Sequence, residues 1–383
     1  MAKICILGAG ASALMCASCI SKNNQVVLID KNTKIGKKIL ATGNGRCNLT
    51  NLKIEKDSYN VDLTKYLNVF SSEDAIKFFE SIGVQTYADE ENRVYPITNS
   101  AQSVLDCLEN NLKNNKNIAI ISQKTIKNVQ KNKNKFIVEF LEGENIECDK
   151  VVFAMGNLTD LDLAKNFASV VRPFKPSLCA LKTSKHKTLS GIRISPVKVS
   201  CKLNSGKFTE VGEVLFKDEG LSGIVIFNLS AFMARENNVD YEVILDLMPN
   251  IDNLEKILKN RQKILKNASV STFFDGFLVK PVANFILKES NIDEEKIVQK
   301  LTENEIKILA KTIKNLKFRV KGTYDNNQVC SGGASLSSLS ENLESKTHSG
   351  VYFIGEACDV DGLCGGYNLQ WAWTSGYIVG KSL

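Results

Sequence analysis

Histidine is scarce in this chain of 383 residues, which contains only His186 and His348. These two residues are too few and too far apart in the sequence to form a histidine-based metal centre or a Ser-His catalytic triad. The sequence therefore predicts no metal site, and it argues against a metalloenzyme or a hydrolase of the serine type.

Long apolar runs and disulfide spacing are also missing. The segment from Ile4 to Ile20 is the one stretch that resembles an export signal, and its glycines stand where a phosphate-binding turn needs them. No other stretch approaches the roughly 20 apolar residues of a membrane span. The eleven cysteines lie mostly in apolar runs, which is typical of free thiols in a reducing compartment. We therefore expect a cytoplasmic protein without a membrane role.

Positive charge is in excess by a formal +7, and it is unevenly distributed. Residues 256–266 and 307–314 predict two basic helices. Both a solvated helix face and a surface that follows RNA phosphates agree with this pattern. The cations concerned are Lys256, Lys259, Arg261, Lys263 and Lys266 in the first segment, and Lys307, Lys311 and Lys314 in the second.

The chain opens with a pattern typical of dinucleotide binding. Residues 3–30 indicate a strand, a glycine turn, a helix and a second strand. In the turn, Gly8 permits the tight bend, Gly10 lets backbone amides approach a pyrophosphate, and Ala13 allows close packing of helix on strand. Asp30 follows the second strand, at the spacing expected for a carboxylate that binds the adenosine ribose.

The far end of the chain carries a second glycine-rich segment. Residues 350–380 indicate a strand, an acidic glycine loop and a closing helix. A chain that leaves a Rossmann unit and returns to it suggests a long, two-ended cofactor such as FAD. We therefore expect both termini to contribute to one site.

Between these ends, the pattern changes twice. Helical periodicity indicates helices over residues 72–82 and 100–114. Alternation of apolar and polar residues indicates strands after Thr125. Strands are expected over 192–203, 209–216, 224–229 and 241–247, and amphipathic helices over 252–318. The predicted fold is α/β, with a Rossmann-type FAD-binding domain interrupted by a β-rich, barrel-like domain and a small helical domain. The predicted ranges are 1–186, 187–247, 248–318 and a return to the β-rich and FAD-binding domains over 319–383.

Four motifs in this order resemble one known family. They are the GxGxxA turn at 8–13, GKKILATGNGRCNLTN at 36–51, GEVLFKDEGLSG at 212–223, and the segment that begins GEACDVDG at 355. The chain thereby resembles, over essentially its whole length, the BaiN/RdsA family of bacterial NAD(P)/FAD-dependent oxidoreductases, which includes aminoacetone oxidase-like FAD-binding proteins. The resemblance implies FAD as cofactor, with NAD(P)H as a transient reductant.

The motifs and the resemblance together imply a set of cofactor-binding residues and leave the catalytic residues open. Arg46, Cys47, Asp359 and Asp361 are the catalytic candidates, although Cys47 has no neighbouring cysteine of the kind that disulfide reductases use. Cys16 and Cys19 form a CxxC motif, but both lie inside a predicted helix. Packing of that helix explains them better than redox chemistry does. The implied cofactor-binding residues are Gly8, Gly10, Ala11, Ser12, Ala13, Asp30, Lys31, Lys38, Thr42, Gly43, Arg46, Cys47, Asn48, Thr125, Ile126, Ala154, Met155, Gly156, Gly355, Glu356, Gly366, Tyr367, Asn368, Leu369 and Gln370.

The reaction that the resemblance implies is reduction of an activated carbon–carbon double bond. Members of the family are linked to a uracil ring in ribosomal RNA and to unsaturated bile-acid ketones. Because the basic helices favour RNA, we expect uridine in ribosomal RNA as the acceptor. The alternatives are a reductase or amine oxidase acting on a small molecule, and a flavin-containing RNA-binding protein without turnover.

Overall fold

The computed structural model describes residues 1–184, 186–236, 240–324 and 329–383. These residues form two compact units. Unit 1 combines residues 1–175 with residues 328–383, so it contains both ends of the sequence. Unit 2 is formed by residues 176–327.

The helices and strands are numbered in chain order. The strands are β1 (Lys3–Leu7), β2 (Gln25–Ile29), β3 (Thr50–Asn51), β4 (Thr86–Ala88), β5 (Arg93–Pro96), β6 (Ile118–Ile121), β7 (Ile126–Asn132), β8 (Lys135–Phe140), β9 (Ile146–Cys148), β10 (Lys150–Phe153), β11 (Val171–Ser177), β12 (Leu181–Lys182), β13 (Arg193–Leu203), β14 (Gly206–Lys217), β15 (Gly220–Ser222), β16 (Glu242–Asp246), β17 (Leu316–Arg319), β18 (Gly322–Thr323), β19 (Val329–Ala334) and β20 (Val351–Phe353). The helices are α1 (Ala11–Cys19), α2 (Thr64–Leu67), α3 (Ser72–Ser81), α4 (Ala101–Lys113), α5 (Leu161–Lys165), α6 (Ile224–Ala234), α7 (Leu254–Ile264), α8 (Lys280–Glu289), α9 (Glu303–Lys314) and α10 (Tyr367–Ser382).

The centre of unit 1 is a five-stranded sheet in the order β20-β10-β1-β2-β6. All of its strand pairs are parallel. Parallel sheets need apolar cover on both faces, and residues 4–7 of the central strand β1 are all fully buried. Two antiparallel sheets, β3-β5-β4 and β7-β8-β9, flank this core within unit 1. The predicted α/β class with a Rossmann-type sheet is confirmed.

Helices α1 and α10 pack tightly against each other in unit 1. Two glycines on one face of α10 allow this approach. A Cβ atom on Gly376 would lie 2.5 Å from the carbonyl oxygen of Ser12, and one on Gly380 would lie 2.6 Å from that of Cys16. Real Cβ atoms do not come this close to a carbonyl oxygen, so glycine is required at both positions. The opening helix and the closing helix of the chain therefore share one core.

Unit 2 is built around a seven-stranded antiparallel sheet in the order β17-β16-β13-β14-β15-β12-β18. One hydrophobic cluster includes Val199 of β13, Leu258 of α7, Ile286 of α8 and Leu309 of α9. The segments expected to form separate β-rich and helical domains therefore share a core. Both predicted limits of the insertion, 187 and 318, lie inside unit 2, whose limits are 176 and 327.

The strand predicted over 224–229 is wrong, because these residues begin helix α6. Its sequence begins with four apolar residues, and a short continuous apolar run does not distinguish a buried strand from a buried helix. Gly223 precedes the helix with φ of +116°, a backbone conformation that suits glycine and ends the preceding strand. Helix α6 packs on β13 and β14, which buries Val225, Ile226 and Leu229.

Other local predictions agree closely with the structure. Helix α3 begins after Ser71, whose hydroxyl accepts a hydrogen bond from the Asp74 amide, and the Asp74 carboxylate accepts from the Ser71 amide in return. Cys16 and Cys19 lie in α1, as predicted. Among the described residues, no helix combines the length and the apolar character that a membrane crossing requires.

Candidate functional site

The turn between β1 and α1 has the geometry of a phosphate-binding loop. Gly8 has φ of +105°, and a Cβ atom there would lie 2.6 Å from the carbonyl oxygen of Ala154 at the end of β10. Gly10 differs, because a Cβ atom on it would have no neighbour within 4 Å. Gly8 is thus required by the protein itself, whereas Gly10 faces open space and leaves room for a ligand.

Two helices in unit 1 begin with amides that are not used in the helix. The first helical hydrogen bond of α1 runs from the Leu14 amide to Gly10, and that of α10 runs from the Gln370 amide to Gly366. The amides of residues 11–13 and 367–369 precede these bonds and remain available to a ligand. Neither N-cap, Gly10 or Gly366, supplies a side-chain acceptor. Both helix starts therefore suit groups that carry negative charge.

Asp30 lies beside the first of these helix starts. Its Oδ2 accepts a hydrogen bond of 2.8 Å from the Ala9 amide, and its Oδ1 accepts bonds of 2.8 Å from the amide and side chain of Asn32. These bonds fix the carboxylate next to the glycine turn. The Lys124 amide donates to the Asp30 carbonyl, which brings the predicted residues Thr125 and Ile126 to the same end of the sheet. Lys31 is exposed.

Glu356 lies against two predicted residues, Lys38 and Gly156, and also against Cys330, which was not predicted. Its Oε2 lies 2.6 Å from Nζ of Lys38, and its Oε1 accepts a bond of 2.6 Å from the Cys330 amide. A Cβ atom on Gly156 would lie 3.0 Å from Glu356 Oε2. The segment 154–156 after β10 and the segment 355–356 after β20 therefore meet at the carboxyl edge of the sheet, where ligands of open α/β sheets bind.

Gly355 connects the carboxyl edge of the parallel sheet to helices α1 and α10. Its amide donates to Oγ of Ser375 and its carbonyl accepts from Nε1 of Trp371, each at 2.9 Å. A Cβ atom on it would lie 2.5 Å from Oγ of Ser12. Trp371 and Trp373 are 2% and 0% exposed, so both belong to the core of unit 1.

The glycine-rich loop of residues 36–51 brings Arg46, Cys47 and Asn48 to unit 1. Arg46 is exposed, and its guanidinium lies 4.6 Å from the centre of the Tyr95 ring. Cys47 is fully buried; its amide donates to the Thr42 carbonyl. Burial raises the pKa of Cys47 to about 12, against a smaller opposing effect from a hydrogen bond with Thr42. The thiol is therefore protonated at neutral pH, and thiolate is the reactive form. Cys47 lacks the properties of a nucleophile.

Asn48 is the clearest indication that something else binds here. Its Oδ1 is buried, and within the described part of the chain it has no hydrogen-bond partner. A buried, unpaired carboxamide oxygen costs about 1–3 kcal/mol. A Cβ atom on Gly366 would lie 2.7 Å from this oxygen and 2.6 Å from the carbonyl of Thr50. Asn48 thus lies against the start of α10, where a polar ring edge would satisfy it.

These features fit FAD. The first helix start and Asp30 offer amides and a carboxylate to a pyrophosphate and a ribose. Asn48 and the second helix start offer polar groups to a flavin, whose pyrimidine edge gains negative charge on reduction. The two sets belong to one unit and contact each other through Gly355, Ser12 and Gly376.

Replacement of Asn48 by leucine is expected to have opposite effects on apoprotein and holoprotein. Asn48→Leu removes an unpaired polar atom, so the FAD-free protein should unfold at an equal or higher urea concentration than wild type. Its affinity for FAD should fall about tenfold, since a charge-assisted or neutral hydrogen bond of about 1.4 kcal/mol is lost. Urea unfolding and flavin fluorescence titration measure the two effects.

Asn51 supplies the matched control for this substitution. It is 3% exposed, its Nδ2 donates to Gly365 at 3.0 Å and its Oδ1 accepts from the Lys53 amide at 2.8 Å. Asn51→Leu should therefore destabilise the FAD-free protein. Similar urea midpoints for the two variants would contradict the distinction drawn between a satisfied and an unsatisfied amide.

The remaining catalytic candidates, Asp359 and Asp361, are buried in the loop after β20. Asp359 Oδ2 lies 3.3 Å from Nε of Arg172, an ion pair in which Asp359 is almost fully buried. Asn60 holds the loop: its Oδ1 accepts from the Asp361 amide at 2.9 Å, and its Nδ2 donates to the Asp359 carbonyl at 3.2 Å. The loop is thus held by residues far away in the sequence, beyond what a simple turn would require.

Several groups at the start of α10 are hydrogen-bonded within the protein. Asn368 binds both the amide and the carbonyl of Gly362 at 2.9 Å. Gln370 is fully buried and bonds to Thr50 at 2.6 Å and to Phe70 at 3.2 Å. The Tyr367 carbonyl accepts from the Tyr59 hydroxyl at 2.8 Å. Their contribution to a cofactor site is the helix start that they stabilise.

Sequence reasoning missed several residues that shape this site. Thr50, Tyr59, Asn60 and Arg172 are bonded to the α10 start or to its preceding loop. Thr50 stands within the glycine-rich motif, so its position gave a usable signal. Tyr59, Asn60 and Arg172 lie outside every motif, and only the folded chain identifies them.

Comparison with known proteins agrees with this geometry. The family model described as HI0933-like protein Rossmann domain matches residues 2–382. The chain is 30% identical over 408 residues to 3-dehydro-bile acid delta(4,6)-reductase of Clostridium scindens, covering 100% of this chain and 99% of that protein. It is 28% identical over 400 residues to ribosomal RNA dihydrouridine synthase of Escherichia coli, covering 99% of this chain and 97% of that protein.

Solved structures with a similar fold include a flavoprotein reductase. A quinol fumarate reductase of E. coli matches with a TM-score of 0.50 and 13% sequence identity, over 100% of this chain and 69% of that chain. At this identity the match concerns the fold alone. It agrees with the α/β architecture of the parallel sheet and its covering helices.

Proposed function

Because this chain belongs to the HI0933-like Rossmann family of FAD-dependent oxidoreductases, we propose that it reduces a carbon–carbon double bond of uridine in ribosomal RNA, with NAD(P)H as electron donor. The single observation that carries the choice of reaction is the pair of relatives that match almost the whole chain. One is named a dihydrouridine synthase and the other a delta(4,6)-reductase. Both names describe the saturation of a carbon–carbon double bond in a ring.

The choice of RNA rests on exposed charge in unit 2. Of the eight cations in the two predicted basic helices, Arg261 donates to the carbonyls of Phe273 and Asp275, Lys259 pairs with Glu255 and Glu303, and Lys314 pairs with Asp246. These three support the fold. The exposed cations that support an RNA surface are Lys256, Lys263, Lys266, Lys307 and Lys311.

Bound FAD would supply the two-electron transfer itself, and the residues of unit 1 would position it. The α1 start and Asp30 would hold its pyrophosphate and ribose. Asn48 and the amides of 367–369 would hold the polar edge of its ring system and favour the charge that it gains on reduction. Gly355 and Gly376 keep these two groups of residues in one body.

Saturation of the double bond also requires a proton. Cys47 is too weak an acid for this step, because its pKa is raised to about 12. Asp359 and Asp361 are the carboxyl groups that lie in the loop before α10, and we propose them as the candidates for proton delivery. Arg46 is exposed, and we propose that it binds a substrate anion.

The nicotinamide is proposed to bind only transiently. The sequence carries one glycine-rich βα turn of the dinucleotide type, at 8–13, so a second resident dinucleotide is not part of the proposal. NAD(P)H would react first and leave before the acceptor enters. The described part of the chain contains no disulfide, which supports the cytoplasm as the proposed place of the reaction.

Two measurements test the proposed function. Anaerobic mixing of the FAD-loaded protein with NADH or NADPH, without acceptor, should bleach the flavin absorbance. Mass analysis of ribosomal RNA from a deletion strain should show the loss of a dihydrouridine that the wild-type gene restores. Flavin bleaching with unchanged ribosomal dihydrouridine would reject RNA as acceptor and favour the small-molecule alternative, which the similarity to the bile-acid reductase supports. A protein that is not bleached but binds RNA would favour the alternative without turnover.

A further inference from the structure

Unit 2 contains a groove that plays no part in the FAD site described above. It lies between the short turn His186–Leu189 and helix α8, and its volume is about 620 Å³. Binding sites for small ligands span about 300–1,000 Å³, so the groove is large enough for one or two nucleotides. Its lining combines three lysines with aromatic rings.

The lysines make the groove electropositive. Lys187 and Lys288 are exposed on its opposite walls, one in the turn and one in the last turn of α8. Lys280, at the start of α8, lies 3.6 Å from Asp275 and donates to the Ser271 carbonyl at 3.2 Å, so part of its charge is balanced locally. Lys187 and Lys288 are therefore the cations best placed to meet an anion.

The aromatic side chains of the groove belong to a packed cluster of rings. Phe285 lies parallel to the buried Phe318, with ring centres 6.3 Å apart and an angle of 9° between the planes. The His186 ring stands nearly perpendicular to both phenylalanine rings. Its centre lies 4.8 Å from the ring centre of Phe318 and 5.3 Å from that of Phe285. Phe285 is half-buried. Phe285 and His186 thus both line the groove and both pack on Phe318.

His186 contributes an aromatic surface rather than a charge. Burial lowers the pKa of His186, Glu289 acts in the opposite direction, and Lys321 lowers the pKa further. The ring is therefore neutral at pH 7, since its ordinary pKa already lies below that value. The groove thus presents cations on its walls and uncharged rings at its floor.

This combination is the one that single-stranded nucleic acid requires. Lysines follow the phosphates, and aromatic rings stack with bases that are not paired. A wholly apolar ligand would leave the lysines without a partner, and a duplex would not offer its bases to Phe285. We propose that this groove binds a single-stranded segment of RNA, with Lys187 and Lys288 at its phosphates and a base stacked on Phe285. The identification of that RNA as the ribosomal substrate rests on the proposed function.

The test uses the FAD-loaded full chain and a fluorescently labelled, uridine-rich single-stranded RNA. Anisotropy titrations over a salt series should show weaker binding for the double variant Lys187→Gln/Lys288→Gln. Its slope of log affinity against log salt should be shallower by about 1.4, or 0.7 for each lysine that no longer meets a phosphate. Phe285→Leu should weaken binding about 5- to 150-fold with an unchanged slope, because stacking on an aromatic ring is removed and the charge stays the same.

Lys131→Gln/Lys133→Gln is the matched control. Both lysines are exposed in the β7–β8 hairpin of unit 1, so this variant removes the same charge elsewhere. It should bind the RNA within twofold of wild type. An unchanged urea midpoint in all variants shows that unit 2 keeps its fold, and an unchanged rate of bleaching by NAD(P)H shows that the FAD site of unit 1 is intact. Equal losses in the control and the groove variant, or wild-type affinity and slope in the groove variant, overturn the proposal.

Two further comparisons separate this inference from the proposed function. Duplex RNA and an unrelated acidic polymer should bind more weakly than the single strand, and equal binding overturns the assignment. In the deletion strain, the control variant should restore ribosomal dihydrouridine and the groove variant should not. If the deletion itself leaves dihydrouridine unchanged, the proposed function fails, while the anisotropy data still decide whether the groove binds RNA.

Discussion

Gly10→Val is expected to yield a folded protein that does not retain FAD. Gly10 has φ of −85° and ψ of −170°, an extended conformation that valine adopts readily. No atom lies within 4 Å of the new Cβ position, so the side chain enters open space. That space lies before the free amides of residues 11–13, where a pyrophosphate would approach. The affinity for FAD should fall at least about 100-fold, or about 2.7 kcal/mol.

Stability should change little in this variant. Valine is a poorer N-cap than glycine, and the difference is limited to about 1 kcal/mol. Urea unfolding of the FAD-free protein and fluorescence titration with FAD measure the two quantities separately. Ser100→Val is the control, because Ser100 is also a helix N-cap in unit 1 without a side-chain capping bond. Wild-type affinity in Gly10→Val would remove the glycine turn from the cofactor site.

Gly376→Val should cause the largest loss of stability of the changes considered. A Cβ atom there would lie 2.5 Å from the Ser12 carbonyl oxygen and 3.1 Å from the Cys16 amide nitrogen. Both are backbone atoms of α1, which cannot move aside without moving the helix. Overpacking of this kind costs about 3 kcal/mol or more. Valine gains a few tenths of a kcal/mol in helix propensity over glycine, so the steric term dominates.

This substitution should also weaken FAD binding, since α1 and α10 each present one of the two helix starts. The urea midpoint and the flavin content after purification provide the measurements. Lys381→Val, on the exposed side of the same helix, should leave both unchanged. If Gly376→Val had the stability of wild type, the close approach of α1 and α10 would be excluded.

The parts of the fold that were predictable depend on short-range signals. The β1-α1-β2 unit follows from two apolar runs, a glycine turn and Asp30, and the structure places each where the spacing indicates. Helix α3 follows from its periodicity, and the Ser71 cap that the structure shows agrees with the predicted start. It was also predictable that the two ends of the chain share one sheet, because each glycine-rich end matches half of a dinucleotide-binding site.

The parts that were not predictable depend on tertiary contacts. The apolar run at 224–229 has the same composition whether it is a strand or a helix, and its packing on β13 and β14 decides the outcome. The common core of unit 2 joins residues that no local pattern connects. The unpaired oxygen of Asn48 depends on its place beside Gly366, more than 300 positions later in the sequence.

The division of the nucleotide-binding unit between the two flanks of unit 2 has a consequence for biosynthesis. A ribosome produces the phosphate turn early, but it must then complete all of residues 176–327 before it can make the helix that closes the flavin end. Until then, the nascent chain contains only the phosphate-binding half of the site. Loading of the cofactor belongs to the final stage of maturation, and any polypeptide that is cut short within the insertion has the turn but can never enclose a flavin.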